Sequence, residues 1–359
     1  MKGILEIKEI SKDDNRVLSR MVGMDHEQVL FCQDRATGLK AIIAVHNTVL
    51  GPALGGTRMW NYANEEDAIT DVLRLSRGMT YKNSISGLNL GGGKAVIIGD
   101  SYTQKNEALF RRFGKFVESL SGKYITAEDV GISPQDMVWV NKETNHVAGL
   151  PGKSGDPSPV TAYGVYVGMK ACAKAQFGRD SLAGIKVAVQ GAGHVGQYLI
   201  KHLTDEGAKV FVTDIYAPSL KEVSDKYGST IVGLDEIYDL DVDVYAPCAL
   251  GASVNDATLE RLKCSIIAGA ANNQLQNEVI HGKAVMDKGI IYAPDYMLNA
   301  GGVINCFAEV DGRTSEWAMD KAAQIYDTTA EIINGSRANN IPTYAIANKM
   351  AEDRIKGAL

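Results

Sequence analysis

Cysteine is scarce in this chain of 359 residues, and what there is does not cluster. Cys32, Cys172, Cys248, Cys264 and Cys306 are odd in number, widely spaced and without a CxxC pair. That pattern excludes a disulfide framework and leaves no cysteine-based zinc site. The six histidines form no HExxH or similar pairing, so no metal site is expected. No window reaches the ~18 consecutive apolar residues of a membrane span. Basic charge is not in excess either, with 37 Lys and Arg against 43 Asp and Glu and a net charge of −6. The chain as a whole should therefore attract neither a nucleic-acid backbone nor an anionic lipid surface. The amino-terminal stretch MKGILEIKEISKDDNRVL breaks its apolar residues with charges every few positions and does not read as a signal peptide. With cysteines that form no framework, the simplest expected compartment is a reducing cytoplasm. Internal repeats and low-complexity tracts are absent too.

What is present is an ordinary globular composition, 45% hydrophobic and 22% charged, long enough for about two domains at roughly 150 residues each. Short β-branched runs alternate with helical patterns. Residues Lys40–Val45 and Lys94–Ile98 read as strands, and Glu65–Arg77 and Asn106–Leu120 as amphipathic helices, which suits an α/β layer. The segment Gly149–Pro159 concentrates Gly, Pro and Ser, and a helical pattern follows from Thr161, so the domain boundary falls there. Beyond it, strand Lys186–Val189, helix Val195–Glu206 and strand Lys209–Thr213 are followed by apolar runs at Val242–Ala246, Ser265–Ala268 and Ile290–Ala293. This rhythm implies right-handed βαβ crossovers and a doubly wound parallel sheet. The expected fold is therefore α/β in two domains separated by a cleft: 1–150, an N-terminal α/β domain, and 151–334, a Rossmann-type domain. The tail, Thr314–Ile333 and Thr343–Ile355, reads as two helices. They either cap the second domain or, from about 335 to 359, return to the first.

The strongest single motif is Gly191-Ala192-Gly193-His194-Val195-Gly196, a GxGxxG directly after the apolar run Val187-Ala188-Val189. A lone GxGxxG is weak, since a plain glycine turn fits it. Here strand, glycine turn, helix and second strand occur in order, and Asp214 follows eighteen residues after the last glycine. The first glycine allows the turn, the second lets backbone approach a pyrophosphate, and the third packs helix on strand. The helix N-terminus adds N–H donors and a positive dipole end. Asp214 would accept hydrogen bonds from ribose hydroxyls and repel a 2′-phosphate, which favours NAD over NADP. Ala246-Pro247-Cys248-Ala249, Gly269-Ala270-Ala271-Asn272-Asn273 and Asn299-Ala300-Gly301-Gly302 place small residues and amides after apolar runs, where nicotinamide riboside would lie. Each could equally be a plain loop.

The first domain carries glycine-rich segments interleaved with lysine: GPALGGTR from Gly51, GMTYKN from Gly78, GGGK ending at Lys94, and Ala127-Glu128-Asp129-Val130-Gly131. Two lysines beside glycine-rich backbone and one carboxylate are the parts needed to hold an anionic substrate and move protons. A P-loop is excluded, because Leu88 and Ala95 stand where Gly and Ser or Thr are required. Most lysines are solvated surface charges. Lys94 differs, because three glycines precede it and Ala95-Val96-Ile97-Ile98 follow it. Desolvation, or Lys82 as a neighbouring ammonium, would lower its proton affinity toward the working range, with Asp129 as the second proton-transfer group.

GPALGGTRM, GMTYKN, GLNLGGGK, ITAEDVG, SPVTAYGV, GAGHVG, YAPCALG, ANNQL, and APDY followed by NAGGVIN together resemble the amino-acid dehydrogenases of the glutamate/leucine/phenylalanine/valine group, from about Gln28 to the C-terminal helices. The resemblance implies reversible oxidative deamination of an L-amino acid with NAD, giving a 2-oxo acid, ammonia and NADH. It implies that Lys82 holds the substrate carboxylate with the amide of Asn299 assisting. Lys94 would activate the attacking water, and Asp129 would shuttle protons to and from the nitrogen. The cofactor residues would be Gly191, Ala192, Gly193, His194, Val195, Gly196, Asp214, Cys248, Ala249 and Asn273. Glutamate-specific relatives have a lysine where this chain has Leu54, so the resemblance points to a branched-chain substrate in an apolar site built from Leu54, Gly55, Ala127, Val303 and Cys306. Cys306 and Phe307 depart from the Val and Ala usual in the group, and Gly93 stands where Ala is usual. Relatives of this type assemble as homo-oligomers, commonly octamers, so an oligomer is expected, with no nucleic-acid or membrane partner. Alternatives are an enzyme of the phenylalanine type and a non-catalytic NAD-binding sensor. The sensor would be expected to lack Lys82, Lys94 or Asp129, and all three are present.

Overall fold

The computed structural model describes residues 17–153, 155–249 and 251–359. Residues 1–16 of the amino-terminal stretch, Ser154 of the glycine- and proline-rich segment, and Leu250 after Cys248-Ala249 lie outside the described residues. The chain forms two compact units, one running up to Gly155 and including Ile355–Leu359, the other Asp156–Arg354. No described helix is long and apolar enough to cross a membrane.

The first unit contains α1 (Val17–Met24), β1 (Gln28–Asp34), β2 (Leu39–Asn47), β3 (Ala53–Trp60), α2 (Glu65–Ile85), β4 (Gly91–Ile98), α3 (Glu107–Glu118), β5 (Tyr124–Glu128) and α4 (Pro134–Asn141). Its five strands are ordered β1-β2-β4-β3-β5, with β1, β2 and β4 antiparallel to one another in turn and β3 parallel to both β4 and β5. One face is covered by α3 and α4 through Phe110, Phe113, Val117, Met137 and Val140; on the other, α2 packs Ala68, Ile69, Val72 and Leu73 on Ile42, Ala44 and Val96. Strand parity thus sends the side chains of Lys94 and Val96 toward α2 and those of Ala95 and Ile97 away from it.

The helix expected at Glu65–Arg77 runs on to Ile85, so the GMTYKN motif is helical. Gly78 does not break it because its last turns are docked: Asn83 Nδ2 donates to the Gly91 carbonyl at 2.5 Å, and Thr80 Oγ1 lies 2.8 Å from His46 Nδ1. GPALGGTRM, read only as a glycine-rich motif, supplies β3, and ITAEDVG supplies the end of β5.

The second unit continues with α5 (Ser158–Phe177), β6 (Lys186–Gln190), α6 (His194–Asp205), β7 (Lys209–Thr213), α7 (Ala217–Tyr227), β8 (Thr230–Ile231), β9 (Val244–Pro247), α8 (Asp256–Arg261), β10 (Ile266–Ile267), α9 (Glu278–Asp287), β11 (Ile291–Tyr292), α10 (Asp295–Leu298), α11 (Gly301–Val310), α12 (Ser315–Ala323), α13 (Ile325–Asn339) and α14 (Thr343–Lys356). Its six strands, in the order β11-β10-β9-β6-β7-β8, are parallel throughout. This is the doubly wound order whose switch point lies between β6 and β9. The single helix expected over Thr314–Ile333 is two, α12 and α13. The break falls at Gln324, whose N–H closes a short bond to the Lys321 carbonyl at 3.2 Å.

Close approach of helix to strand in the first unit depends on Gly92. A Cβ added there would lie 2.1 Å from the backbone nitrogen of Thr80 in α2. Gly78, exposed on the same helix, has no atom within 4 Å of an added Cβ. Alanine should therefore act oppositely at these two sites. Gly92→Ala is expected to destabilise the fold by about 2 kcal/mol or more through overpacking, and Gly78→Ala to stabilise it by roughly 0.5–1 kcal/mol through helix propensity. Urea denaturation of both variants measures the difference; equal effects would contradict the close approach.

Candidate active site

Lys94 lies in the middle of β4, opposite Ala44 of β2, and is 6% exposed. An ammonium this deep needs a partner. Its Nζ lies 2.8 Å from Oδ2 of Asp129, which follows the end of β5. Arg58 Nε meets the same oxygen at 3.1 Å, while its Nη1 meets Asp71 Oδ2 of α2 at 2.9 Å. The Tyr62 hydroxyl donates to that Asp71 oxygen at 2.6 Å. Burial alone would raise the Asp129 carboxyl, but the Lys94 ammonium and the Arg58 guanidinium outweigh it and hold the group below the usual aspartate range.

Leu54, Gly56 and Arg58 alternate along β3, and Gly56 pairs with Ala127 of β5. Leu54 and Ala127 are both buried, and Leu54 pairs with Gly92 and Ile125, so the sheet beside the charged groups is apolar. Gly55 has its carbonyl bound by the Tyr124 hydroxyl at 2.6 Å. Lys82 sits on the last turn of α2, where its positive charge suits the negative end of the helix dipole.

In the second unit the glycine motif occupies the switch point. Gly191 adopts φ +114°, a left-handed conformation that favours glycine, and a Cβ added to it would lie 2.9 Å from Ala249, just after Cys248 at the end of β9. A Cβ at Gly196 would lie 2.2 Å from the Gly191 carbonyl, whereas one at Gly193 would meet nothing. The turn is thus packed tightly on two sides and open at the middle glycine, the position where backbone must approach a pyrophosphate. Helix α6 starts at His194 without a side-chain cap, and Val195 follows in its first turn. Asp214 is fixed by two donors: the Ala192 N–H to Oδ2 at 2.6 Å and the Tyr216 N–H to Oδ1 at 2.8 Å. Burial raises the Cys248 thiol to about 12, so it is held as a neutral thiol.

Asn273 is exposed, with φ +53°, on the loop that follows β10. That loop is held by a residue the sequence analysis passed over. Gln274 is fully buried; its Nε2 donates to the Gly269 and Ala271 carbonyls at 2.9 and 3.0 Å, and its N–H to Asp295 Oδ2 at 2.9 Å. Asn299 lies at the C-terminal end of α10. Its Nδ2 donates to the Ala270 carbonyl at 3.0 Å and to Asn272 Oδ1 at 2.7 Å, while its buried Oδ1 has no partner among the described residues. The atom it offers is an acceptor, which suits an N–H donor and not a carboxylate. Val303 is buried on α11, and Cys306, one turn further on, is half-buried.

Arg58, Asp71 and Tyr62 also escaped the sequence analysis. Arg58 was within reach of it, because period-two parity on GPALGGTR places it on the face of Leu54 and Gly56. Asp71 carried no local signal.

Two family models match the chain: "Glu/Leu/Phe/Val dehydrogenase, dimerisation domain" over residues 26–146, and "Glutamate/Leucine/Phenylalanine/Valine dehydrogenase" over 152–217 and 214–349. Leucine dehydrogenase of Thermoactinomyces intermedius is 55% identical over 344 residues, covering 95% of this chain and 94% of its own length. Leucine dehydrogenase of Bacillus subtilis is 55% identical over 335 residues, covering 92% of each chain. The crystal structure of L-tryptophan dehydrogenase from Nostoc punctiforme is similar with a TM-score of 0.85 at 45% identity, covering 96% of this chain and 99% of that one.

The charged groups have a consequence for stability that can be measured. A carboxyl whose folded pKa is depressed contributes stability above its unfolded value, near pH 4, and loses it as pH falls through the folded value. Asp129→Asn leaves two cations facing no carboxylate at that position. It should lower unfolding free energy by about 2 kcal/mol or more at neutral pH. The gap to the wild type should narrow as pH falls below about 4. Denaturant titrations at several pH values measure it; a gap independent of pH would show that the carboxylate charge is not what stabilises this region.

Proposed function

The chain belongs to the glutamate/leucine/phenylalanine/valine dehydrogenase family and is an amino-acid dehydrogenase, and we propose that it deaminates branched-chain L-amino acids oxidatively and reversibly with NAD. Leucine is the foremost substrate, with valine and isoleucine accepted, and the products are the 2-oxo acids and ammonia. The observation that carries the substrate reading is the buried Leu54, beside Ala127 and the Lys94–Asp129 pair; by the resemblance, this is the position at which glutamate-specific enzymes carry a lysine. A side-chain carboxylate would meet no cation there, whereas a branched aliphatic group loses nothing by leaving water.

The residues of the second unit fit a dinucleotide. Gly191, Ala192, Gly193 and Gly196 form the tight turn, and the uncapped start of α6 at His194 and Val195 offers N–H donors to a pyrophosphate. Asp214, already oriented by the Ala192 and Tyr216 N–H groups, keeps lone pairs for ribose hydroxyls and opposes a 2′-phosphate. Cys248, Ala249 and Asn273 lie on the loops after β9 and β10 and would flank the nicotinamide side. When bound, NAD supplies the acceptor for the hydride leaving the substrate Cα.

The remaining chemistry falls to the chain's own groups. Lys82 neutralises the substrate α-carboxylate. Asp129 removes a proton from the substrate ammonium, which leaves the nitrogen lone pair able to assist hydride departure. Lys94, acting as the neutral amine, takes a proton from the water that adds to the resulting iminium carbon; Asp129 returns its proton to the carbinolamine nitrogen, and the hydroxyl proton leaves to solvent as the C–N bond breaks and ammonia departs. Asn299 Oδ1 accepts an N–H from ligand; it does not assist Lys82 on the carboxylate. We further propose a cytoplasmic homo-oligomer, with an octamer as the assembly suggested by the resemblance; the description of the first family model as a dimerisation domain supports assembly through the first unit.

Initial rates of NAD reduction with L-leucine, L-valine, L-isoleucine, L-phenylalanine and L-glutamate test the reading. The branched-chain substrates should exceed glutamate in kcat/KM by at least about 100-fold, since glutamate would bury an unpaired charge. Faster phenylalanine would move the enzyme to the phenylalanine type, and inactivity with every substrate would favour a binding protein. Lys94→Ala should lower kcat by roughly 100-fold or more with NADH binding retained, and Lys82→Ala should chiefly raise the amino-acid KM. Asp214→Ala should raise activity with NADP relative to NAD, and an unchanged ratio would place cofactor discrimination elsewhere.

A further inference from the structure

Arg58 has no part in the chemistry just described, yet it ties the proposed proton-transfer carboxylate to the rest of the fold. Its Nε and the Lys94 ammonium share Asp129 Oδ2 at 3.1 and 2.8 Å. Its Nη1 lies 2.9 Å from Asp71 Oδ2, which also accepts from Tyr62. Lys94, Asp129, Arg58, Asp71 and Tyr62 thus form a line in which two cations alternate with two carboxylates and a phenol closes the end. All five belong to the first unit.

We propose that Arg58, backed by Asp71, is a positioning residue that fixes which oxygen of Asp129 meets the substrate nitrogen and sets the pH range in which Asp129 and Lys94 exchange protons. The inference rests on the reading of those two residues as the proton-handling pair. Two cations already occupy Oδ2, so a proton from substrate is taken on Oδ1. A permanent positive charge beside Asp129 lowers its proton affinity, and the negative charge of Asp71 moderates that effect from one step further away. Arginine suits the task because its planar fork addresses two carboxylates through different nitrogens and stays charged throughout. Although burial opposes the charge, Asp129 and Asp71 outweigh it and hold Arg58 above its ordinary value.

The charged and titratable groups facing Asp129 are Lys94 from β4, Arg58 from β3, Asp71 from α2, and the phenols of Tyr62, in the β3–α2 connection, and Tyr124, on β5. Burial pushes both phenols up, so neither adds charge in the working range. Glu128 and Lys82 are the other charged residues of the same motifs, and they stay constant across the variants below.

The test is the pH profile of kcat/KM for leucine in the wild type, Arg58→Gln, Arg58→Lys and Asp71→Asn. Removing the Arg58 charge should move both limbs of the profile to higher pH by about one unit. Removing the Asp71 charge should move them the other way, by less. Arg58→Lys restores the charge and should return the limbs toward their wild-type positions with a lower kcat, because an ammonium cannot engage both carboxylates with the same geometry. A purely structural role would lower activity without moving the limbs in opposite directions. If Arg58→Gln does not fold, Arg58→Lys and the nearly isosteric Asp71→Asn decide. Unmoved limbs, or limbs that move the same way when either charge is lost, overturn the inference in an active enzyme. A wild type inert toward every amino acid overturns the enzymatic reading itself and the inference with it.

Discussion

The first unit depends on the missing side chains at the start of β4. Gly92 lets backbone of α2 rest directly on backbone of the strand, at Thr80, and a Cβ at Gly93 would lie 2.7 Å from the Tyr124 ring. A larger residue at Gly92 would push α2 off β4, and with it Asp71 and Lys82. Once the helix is seated, two consequences follow from its length. Its last turn carries Lys82, and about two and a half turns before Thr80 it presents Asp71 to Arg58. The buried ammonium then forces the rest: Lys94 needs an anion, Asp129 supplies it, and Arg58 and Asp71 hold that anion in turn. A buried pair like this is weak evidence for stability but strong evidence for a fixed geometry, because removing either partner strands a charge.

The second unit solves a related problem with the same residue type. At the switch point between β6 and β9 the strand order reverses, and the turn at Gly191 is filled from one side by Ala249 and from the other by Gly196. Packing on both sides leaves the middle glycine open, so the backbone that must meet a ligand is the part of the turn with no neighbour. Asp214 receives the N–H of Ala192 within the turn, and the acid expected to read the ribose therefore also braces the loop that would hold the pyrophosphate. On the opposite side of the switch point, Gln274 performs the bracing for the 269–273 loop with three hydrogen bonds and no exposure at all. In both loops a polar side chain fixes irregular backbone whose N–H and carbonyl groups have no ladder to join.

Signals that are local in sequence were legible. The GxGxxG turn, the following strand and Asp214 lie within one βαβ unit, and strand periodicity marked β2, β4, β6 and β7 at nearly their observed bounds. What escaped was long-range or hidden by composition. β3 and the last turns of α2 are glycine-bearing motifs whose local propensity reads as loop; pairing with β4 and β5 overrides it in β3, and docking through Asn83 and Thr80 overrides it in α2. Arg58 and Asp129 are far apart in the chain, and Asp71 looks like any solvated helix carboxylate until the register of β3 is known. Gln274 sits beside the Asn272 and Asn273 amides noticed in the sequence, but nothing in its neighbours says that it points inward. What the Asn299 amide can offer was hidden for a related reason: only the structure shows that its donors are engaged by Ala270 and Asn272.

The same array to which we assign proton transfer also bears on the choice of substrate. In the first unit the two cations of this line, Lys94 and Arg58, are shared between Asp129 and Asp71, so its four formal charges cancel. A side-chain carboxylate entering beside Leu54 would have to compete with Asp129 for a cation or remain unpaired among Leu54, Ala127 and Ile125, at a cost of several kcal/mol. An aliphatic side chain asks nothing of the array. Discrimination against glutamate is therefore electrostatic and large, while discrimination among leucine, isoleucine and valine is steric and limited to about 1–3 kcal/mol per methylene. On the proposed roles, substrate choice and proton transfer are not separate properties of this unit: charge neutrality within one line of side chains holds Asp129 in position, and Lys82, assigned to the α-carboxylate, leaves none of these cations for a second, side-chain carboxylate.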